Sequence, residues 1–587
     1  GIKIKCGYTN INKNISKGFV QSSSQRTYRI KKAGRIFSKP KVIEERINER
    51  TNTYIYKKKE FEEKNRSLFE LQNMIMFELE KKGESQLMQD YKKIFNTLTD
   101  ITNKQVKSGK ESFETLRYKG IEIAIQAWLE EDLKEIQKKH DFKKLKEKTG
   151  IYLQFLELWK NVADKNEGKG TENPFVTDIE IESIEEQGKN FLAMIFPIRT
   201  HYNILYRTFL LLVVKAMELA SLYKKDGNVA SKIVYPFSKE KQEEAYKDFI
   251  YSENKLDLGK NLWNIHSNPI FKPFYKISLP PAFKISSKTI REKGMNIQMK
   301  TIYPFSLEEH FKSNDHDHHD IQSKMINKMS KRVKSYLIPN IPRPKGVVML
   351  SIHGGGFFAM SSFGHESYLR RWSNNMGIPI VCVDYTLAPK EKFPYQLEEC
   401  EKVYEYILNN PQEFLPEGEK LENIIISGDS AGGSLSLGLM TRLISKNDVL
   451  KPGGLILTYP ATNLLSHISP HRLQALVDPL LNIQMLKLCQ EVYFDKDKDK
   501  ENPLLNFTNL QDSHFSEFPP TFISCGTQDP LFDDSLMLAS KLKKNSVQLD
   551  FHILEGIGHG FLNLPDLLTE TRAIINQQSA WLRKNFS

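Results

Sequence analysis

Three polar residues, each placed just after an apolar run, are the part of this sequence whose types and spacing could do covalent chemistry. Ser430 lies in Gly428-Asp429-Ser430-Ala431-Gly432-Gly433, between the β-branched run Ile424-Ile425-Ile426 and the Ser/Leu-rich stretch that begins at Ser434. A buried strand followed at once by a helix puts Ser430 on a sharp turn, a nucleophile elbow, where Gly428 and Gly432 are required because a β-carbon would collide across the turn. A serine hydroxyl is a weak nucleophile until a base takes its proton, and Gly-x-Ser-x-Gly arises by chance in long chains, so partners are needed. Asp529 follows the strand-like run Thr521–Gly526, and His559 follows Leu549–Leu554. Serine, acid, histidine is one of the chain orders in which this trio recurs. The chemistry would be acyl transfer. Ser430 attacks an acyl carbon, His559 takes its proton and later returns it to the leaving group, and Asp529 fixes the imidazole tautomer. Asp533 and Asp534 are rival acids, but they precede the helical segment 536–542 and read as its N-cap.

A tetrahedral intermediate needs donors for its oxyanion. The run Val347–Ile352 ends in His353-Gly354-Gly355-Gly356-Phe357, and glycines after a strand let backbone N–H groups turn toward a ligand without steric cost. Gly355, Gly356 and the N–H of Ala431 are assigned to this oxyanion hole. A flexible glycine loop would explain the three glycines but not their place ahead of an elbow. The positioning elements are further strand-like runs at 378–383, 423–427, 454–459, 520–526 and 547–554, alternating with helical stretches, with 296–303 as the first strand. Such alternation predicts a mostly parallel sheet with helices on both faces, and residues beyond the strands' carboxyl ends converge there.

Five motifs taken together resemble the hormone-sensitive lipase family: His353-Gly354-Gly355-Gly356-Phe357, Asp384-Tyr385-Thr386-Leu387-Ala388-Pro389, Gly428-Asp429-Ser430-Ala431-Gly432-Gly433, Asp529-Pro530-Leu531-Phe532-Asp533-Asp534 and His559-Gly560-Phe561. The resemblance is dense from about 346 to 565 and thinner upstream. It implies an α/β-hydrolase fold preceded by a helical domain, and a serine carboxylic ester hydrolase acting on acylglycerols or related lipid esters. It implies no metal and no organic cofactor. Phe357, Phe358 and Phe363 beside the oxyanion loop suit a hydrophobic acyl group. Two alternatives stay open: a short-chain esterase or deacetylase, and a structural component of a large assembly that uses the hydrolase body as a docking module.

With 587 residues, 40% hydrophobic and 27% charged, the chain has an ordinary globular composition and room for several domains. Three parts are expected: a basic extended arm at 1–60, a helical domain at 61–280 and the catalytic domain at 281–587. The arm carries 16 Lys/Arg against 4 acids, a surplus equal to the whole chain's formal charge of +12, so the remainder is neutral. Interleaved Tyr8, Phe19, Tyr28 and Phe37 suit an arm that grips an acidic macromolecular or membrane surface; a solvated tail or a targeting segment are the other readings. In the helical region Ser67 and Glu70 form a capping box that opens a helix with Leu68, Leu71, Ile75 and Leu79 on one face. Further helices are expected at 121–138, 150–162 and 181–222. The His- and Asp-rich stretch 310–320 fits no standard zinc spacing and reads as a solvated loop. Apolar runs such as 209–214 fall far short of the roughly 20 residues that cross a bilayer. The five scattered cysteines, Cys6, Cys382, Cys400, Cys489 and Cys525, suggest a reducing compartment without disulfides. The expected setting is cytoplasmic, with attachment to a lipid droplet or cytoskeletal assembly and a homodimer or larger assembly as open options.

Overall fold

A computed structural model describes residues 4–7, 68–106, 113–138, 142–166, 255–269, 271–311 without 293, 321–329 and, apart from short breaks, 343–587. Its centre is a nine-stranded sheet in the order β1-β9-β8-β7-β6-β4-β5-β3-β2. The strands are β1 (Ile4–Gly7), β2 (Lys284–Glu292), β3 (Met295–Tyr303), β4 (Val347–Ile352), β5 (Ile380–Asp384), β6 (Asn423–Asp429), β7 (Gly454–Thr458), β8 (Thr521–Gly526) and β9 (Leu549–Leu554). Only β3 runs against its neighbours, pairing antiparallel with both β2 and β5, while every other pair is parallel. Side chains alternate between the two faces of a strand, yet β4, β7 and β8 are buried at every position. Both faces are therefore covered, as a parallel sheet requires. Helices Ser362–Met376 and Thr569–Phe586 pack on each other and on the sheet, as do Tyr395–Asn409 and Ala431–Ile444.

The expectation that 296–303 opens the sheet is corrected: β2 precedes it. Only Ile285 and Ile290 are buried among the nine residues of β2, because it is an outer edge with one face in water, so the sequence lacks the apolar run that marks the inner strands. Residues Ile4–Gly7 of the basic arm form the opposite edge, with Ile4 beside Phe551 and Gly7 beside Leu554. The rest of the arm lies outside the described residues, as do Ser67, the expected helix 181–222 and most of 310–320.

Upstream of the sheet stand four long helices, α1 (Leu68–Lys81), α2 (Ser85–Val106), α3 (Phe113–Lys138) and α4 (Lys143–Asn166). Leu71, Ile75 and Leu79 face inward on α1, as their spacing predicts. Helix α2 was not singled out in the sequence, although Leu87, Tyr91, Ile94, Leu98 and Ile101 are buried at helical spacing; Gly83 at φ +71° separates it from α1. The core of these helices includes Trp159, Leu129 and Phe155, and it continues into Ile468, Leu473, Ala475, Leu476 and Ile483 of the catalytic body. Inside it, the Tyr91 hydroxyl donates to Asp132 at 2.7 Å and Lys148 bridges Asp132 and Glu135. That network keeps a buried carboxylate paired.

Candidate active site

Strand β6 lies between β4 and β7 near the middle of the sheet, and the chain turns at its end directly into the helix Ala431–Ile444. Ser430 sits at that turn with φ 54° and ψ −118°, a conformation that side chains rarely adopt. It is held by its N–H donating to the Thr458 carbonyl at 3.0 Å. The turn runs so close to β4 that a β-carbon on Gly432 would stand 2.0 Å from the Ile352 carbonyl oxygen. Only glycine fits there. Such overdetermined strain is a usual mark of a working site.

The three sequence-assigned residues meet. His559 Nε2 is 3.0 Å from Ser430 Oγ, and His559 Nδ1 lies 3.0 and 2.9 Å from the two Asp529 oxygens. Asp529 is fully buried and also accepts the Leu531 N–H at 2.8 Å. Burial alone would lower the pKa of His559, but the Asp529 carboxylate outweighs it, with Asp478 and Asp429 adding, so the imidazole is more basic than usual. The arrangement can draw a proton from Ser430 toward His559 while Asp529 orients the ring.

The glycine loop assigned to the oxyanion hole continues β4. Gly355 takes φ +108°, where a β-carbon would also meet the Ala359 carbonyl oxygen at 2.2 Å. The N–H groups of Gly355, Gly356 and Ala431 donate to nothing among the described residues. The loop is anchored behind by Asp429, whose Oδ1 accepts the Gly354 N–H and the Tyr368 hydroxyl, both at 3.1 Å. Burial would raise the Asp429 carboxyl, but His365, 3.4 Å away, prevails and holds it below the ordinary range. Burial keeps His353, stacked on Tyr385, at about 4 and thus neutral.

The rival acids do other work. The helix Phe532–Lys544 is capped at Leu531, so Asp533 and Asp534 stand in its first turn and are not the N-cap read from the sequence. Asp533 accepts the His471 N–H at 2.8 Å. Asp534 takes the N–H groups of Thr462 and Asn463 at 2.9 and 3.0 Å and pairs with Arg472. Both tie the 462–472 loop to the helix.

Ser430, Gly356 and Ala431 open into a pocket walled by Trp263, Phe357, Leu481, Leu486, Tyr493 and Phe494. Of the three phenylalanines read as acyl contacts, only Phe357 lines it, stacked on Tyr493 at 3.6 Å. Phe358 backs Trp263 at 5.1 Å, and Phe363 packs on Tyr275 at 5.2 Å. The sequence reading missed Trp263, at the end of the helix Lys255–Trp263, and Tyr493 and Phe494, at the end of the helix Ile483–Tyr493, which share no motif. Cys489 also lines the pocket, but burial pushes its thiol up to about 12, so it packs as an apolar group. Cys382, Cys400 and Cys525 are buried, and none of them is in a disulfide. Among the described residues no group of three or more His, Cys, Asp or Glu is placed to hold a metal ion, and no helix is long and apolar enough to cross a membrane.

A family model described as an alpha/beta hydrolase fold matches residues 349–563, which contain every site residue named above except Trp263. Hormone-sensitive lipase of Mus musculus is 41% identical over 152 residues, 26% of this chain and 19% of that protein. The chain thus aligns with about a fifth of that relative's length. An esterase of Acinetobacter venetianus is 30% identical over 216 residues, 36% of this chain and 67% of that protein. Among solved structures, a Pyrobaculum calidifontis esterase is similar over 57% of this chain and 94% of its own, at 22% identity and a TM-score of 0.45. With Ser430, the glycine loop after β4 and the Asp529–His559 pair all inside the matched stretch, the chain belongs to the hormone-sensitive lipase family of α/β-hydrolases.

Proposed function

We propose that this chain is a carboxylic ester hydrolase that cleaves acylglycerols or related lipid esters through an acyl-enzyme on Ser430. The observation that carries the reading is the relay of 3.0 Å from Ser430 Oγ to His559 Nε2 and 2.9 Å from His559 Nδ1 to Asp529. Ser430 adds to the ester carbonyl as its proton passes to His559. The N–H groups of Gly355, Gly356 and Ala431 take the developing oxyanion. Collapse expels the alcohol, which receives the proton from His559, and water repeats the cycle to release the acid. The family membership and the mammalian and bacterial relatives named lipase and esterase support this class of reaction.

The aromatic and aliphatic pocket wall supports an apolar acyl group. Each methylene buried there contributes up to about 0.8 kcal/mol, roughly a fourfold gain in kcat/KM per carbon until the pocket is full. Across p-nitrophenyl esters from acetyl upward, kcat/KM is expected to climb into the medium-chain range before falling. A fall from acetyl onward would favour the short-chain esterase or deacetylase reading. Identity of the nucleophile is tested separately: a fluorophosphonate should label one site per chain, and peptide mass mapping should place it on Ser430. Label on another serine would overturn the mechanism.

A further inference from the structure

The glycine loop after β4 is gripped by a residue that lies upstream of the matched stretch 349–563. Along residues 355–360 four backbones take positive φ: Gly355 at 108°, Gly356 at 58°, Phe357 at 68° and Met360 at 69°. Two of these are not glycine, and such a conformation costs free energy that the surroundings must offset. Part of the restraint is internal. The Gly355 carbonyl accepts the N–H groups of Phe358 at 3.2 Å and Ala359 at 3.0 Å, and the Phe357 carbonyl accepts the Ala388 N–H at 2.9 Å. The end of the loop is fixed from outside: the Met360 N–H donates to Asn264 Oδ1 at 2.7 Å.

Asn264 follows the helix Lys255–Trp263 and opens the 3-10 turn Ile265–Ser267. Its own backbone is settled, with its N–H on the Lys260 carbonyl at 2.9 Å and its carbonyl on the Ser267 N–H at 2.8 Å. An asparagine at the start of a turn commonly spends its side chain on the next N–H groups. This one makes no such cap and reaches the loop instead. Packing follows the same route. Trp263 stacks on Phe358 at 5.1 Å, and a β-carbon on Gly356 would stand 2.7 Å from the Trp263 ring. A β-carbon on Gly355 would stand 2.9 Å from that of Met360, so a shift of Met360 is felt at Gly355.

We propose that Asn264 is a positioning residue for the oxyanion hole: by holding the Met360 N–H it keeps the strained loop in the arrangement that aims the Gly355 and Gly356 N–H groups at the substrate's carbonyl oxygen. The proposal rests on the ester-hydrolase reading above. Oxyanion donors accelerate the reaction because they are oriented before charge develops, and a loop that must reorganise at that moment forfeits part of the effect. Without Asn264 the Met360 N–H loses its acceptor, and Met360 and Phe357 are freer to relax toward ordinary φ. The loss falls on the transition state more than on bound substrate, because an oxyanion is a stronger acceptor than a neutral carbonyl.

Asn264→Ala removes the acceptor, and Asn264→Asp keeps an oxygen for the Met360 N–H. On a p-nitrophenyl ester, kcat of Asn264→Ala should fall about tenfold or more, short of the roughly 10²–10³ that loss of a whole oxyanion donor costs. Its KM should stay within about twofold of wild type. An alkyl trifluoromethyl ketone reads the hole directly. Ser430 Oγ bonds to its carbonyl carbon, the serine proton passes to His559, and the carbonyl oxygen becomes an oxyanion. Its Ki should therefore rise by the same factor as kcat/KM falls, while the Ki of the matching methyl ketone should stay within about twofold. Asn264→Asp should recover most of both losses. Neither KM nor Ki depends on how much of the protein is folded, so a less stable variant still gives an answer. The proposal is overturned if kcat of Asn264→Ala stays within about twofold of wild type, if the methyl ketone weakens as far as the trifluoromethyl ketone, or if Asn264→Asp is as impaired as Asn264→Ala. Each of those results leaves the hydrolase reading standing. A wild type that takes no fluorophosphonate and cleaves no ester overturns both.

Discussion

Ser430→Ala is expected to lower kcat on a soluble ester by about a millionfold, with His559→Ala costing about the same and the double variant scarcely more. The three groups act as one device, so removing either end of the 3.0 Å contact between Ser430 Oγ and His559 Nε2 removes the whole covalent route. Some rate above that of water should survive, about 10³-fold, because the N–H groups of Gly355, Gly356 and Ala431 still polarise a bound carbonyl. The fold should not suffer. His559 is the hydrogen-bond partner of the Ser430 hydroxyl, and the strained turn is held by the Ser430 backbone N–H on Thr458, which alanine retains. The measurement is kcat on a p-nitrophenyl ester together with the melting temperature. A Ser430→Ala protein that keeps more than a tenth of wild-type kcat would remove Ser430 from its role.

The same turn explains why the site could be read from sequence. The close approach of Gly432 to the Ile352 carbonyl and the inverted φ of Ser430 leave so few residue types allowed that the requirement is written in consecutive letters. The glycines after β4 are legible for the same reason, with Gly355 at φ +108° against the Ala359 carbonyl. Inner strands such as Val347–Ile352 were legible because burial on both faces demands a nearly continuous apolar run, broken here only by Ser351. The edge strand Lys284–Glu292 was not, since one wet face and two buried isoleucines leave little pattern. Apart from Phe357, the pocket wall was invisible for a different reason. Trp263 stacks on Phe358, and Tyr493 stacks on Phe357, across large separations along the chain, and no local rule links them. Asp533 and Asp534 show a local rule misapplied. Acids at the start of a helix favour the N-cap reading, but the loop carrying Thr462, Asn463 and His471 returns to claim both carboxylates.

That difference in partners gives the last expected result: Asp529→Asn should lower kcat by about 10⁴-fold, whereas Asp533→Asn should leave kcat within a few-fold of wild type and act on stability instead. Asp529 accepts from His559 Nδ1, which keeps the ring's Nε2 free to receive the Ser430 proton. With Asp529→Asn, the new amide can present its NH₂ to Nδ1. The imidazole then carries its hydrogen on Nε2, the wrong tautomer for a base, and loses the anion that stabilises its cation. The Leu531 N–H still finds an oxygen, so the fold should hold. Asp533 makes its bond to the His471 N–H away from Ser430, and its imidazole neighbour is His471, with Nδ1 at 3.7 Å. Asp533→Asn keeps an acceptor for that N–H but forfeits the charge, which should cost about 1–3 kcal/mol of stability. Melting temperature and circular dichroism measured beside kcat separate the two effects, since they count folded protein without requiring an activated serine. If Asp533→Asn proved the crippled enzyme and Asp529→Asn the merely unstable one, the acid of the relay would be Asp533.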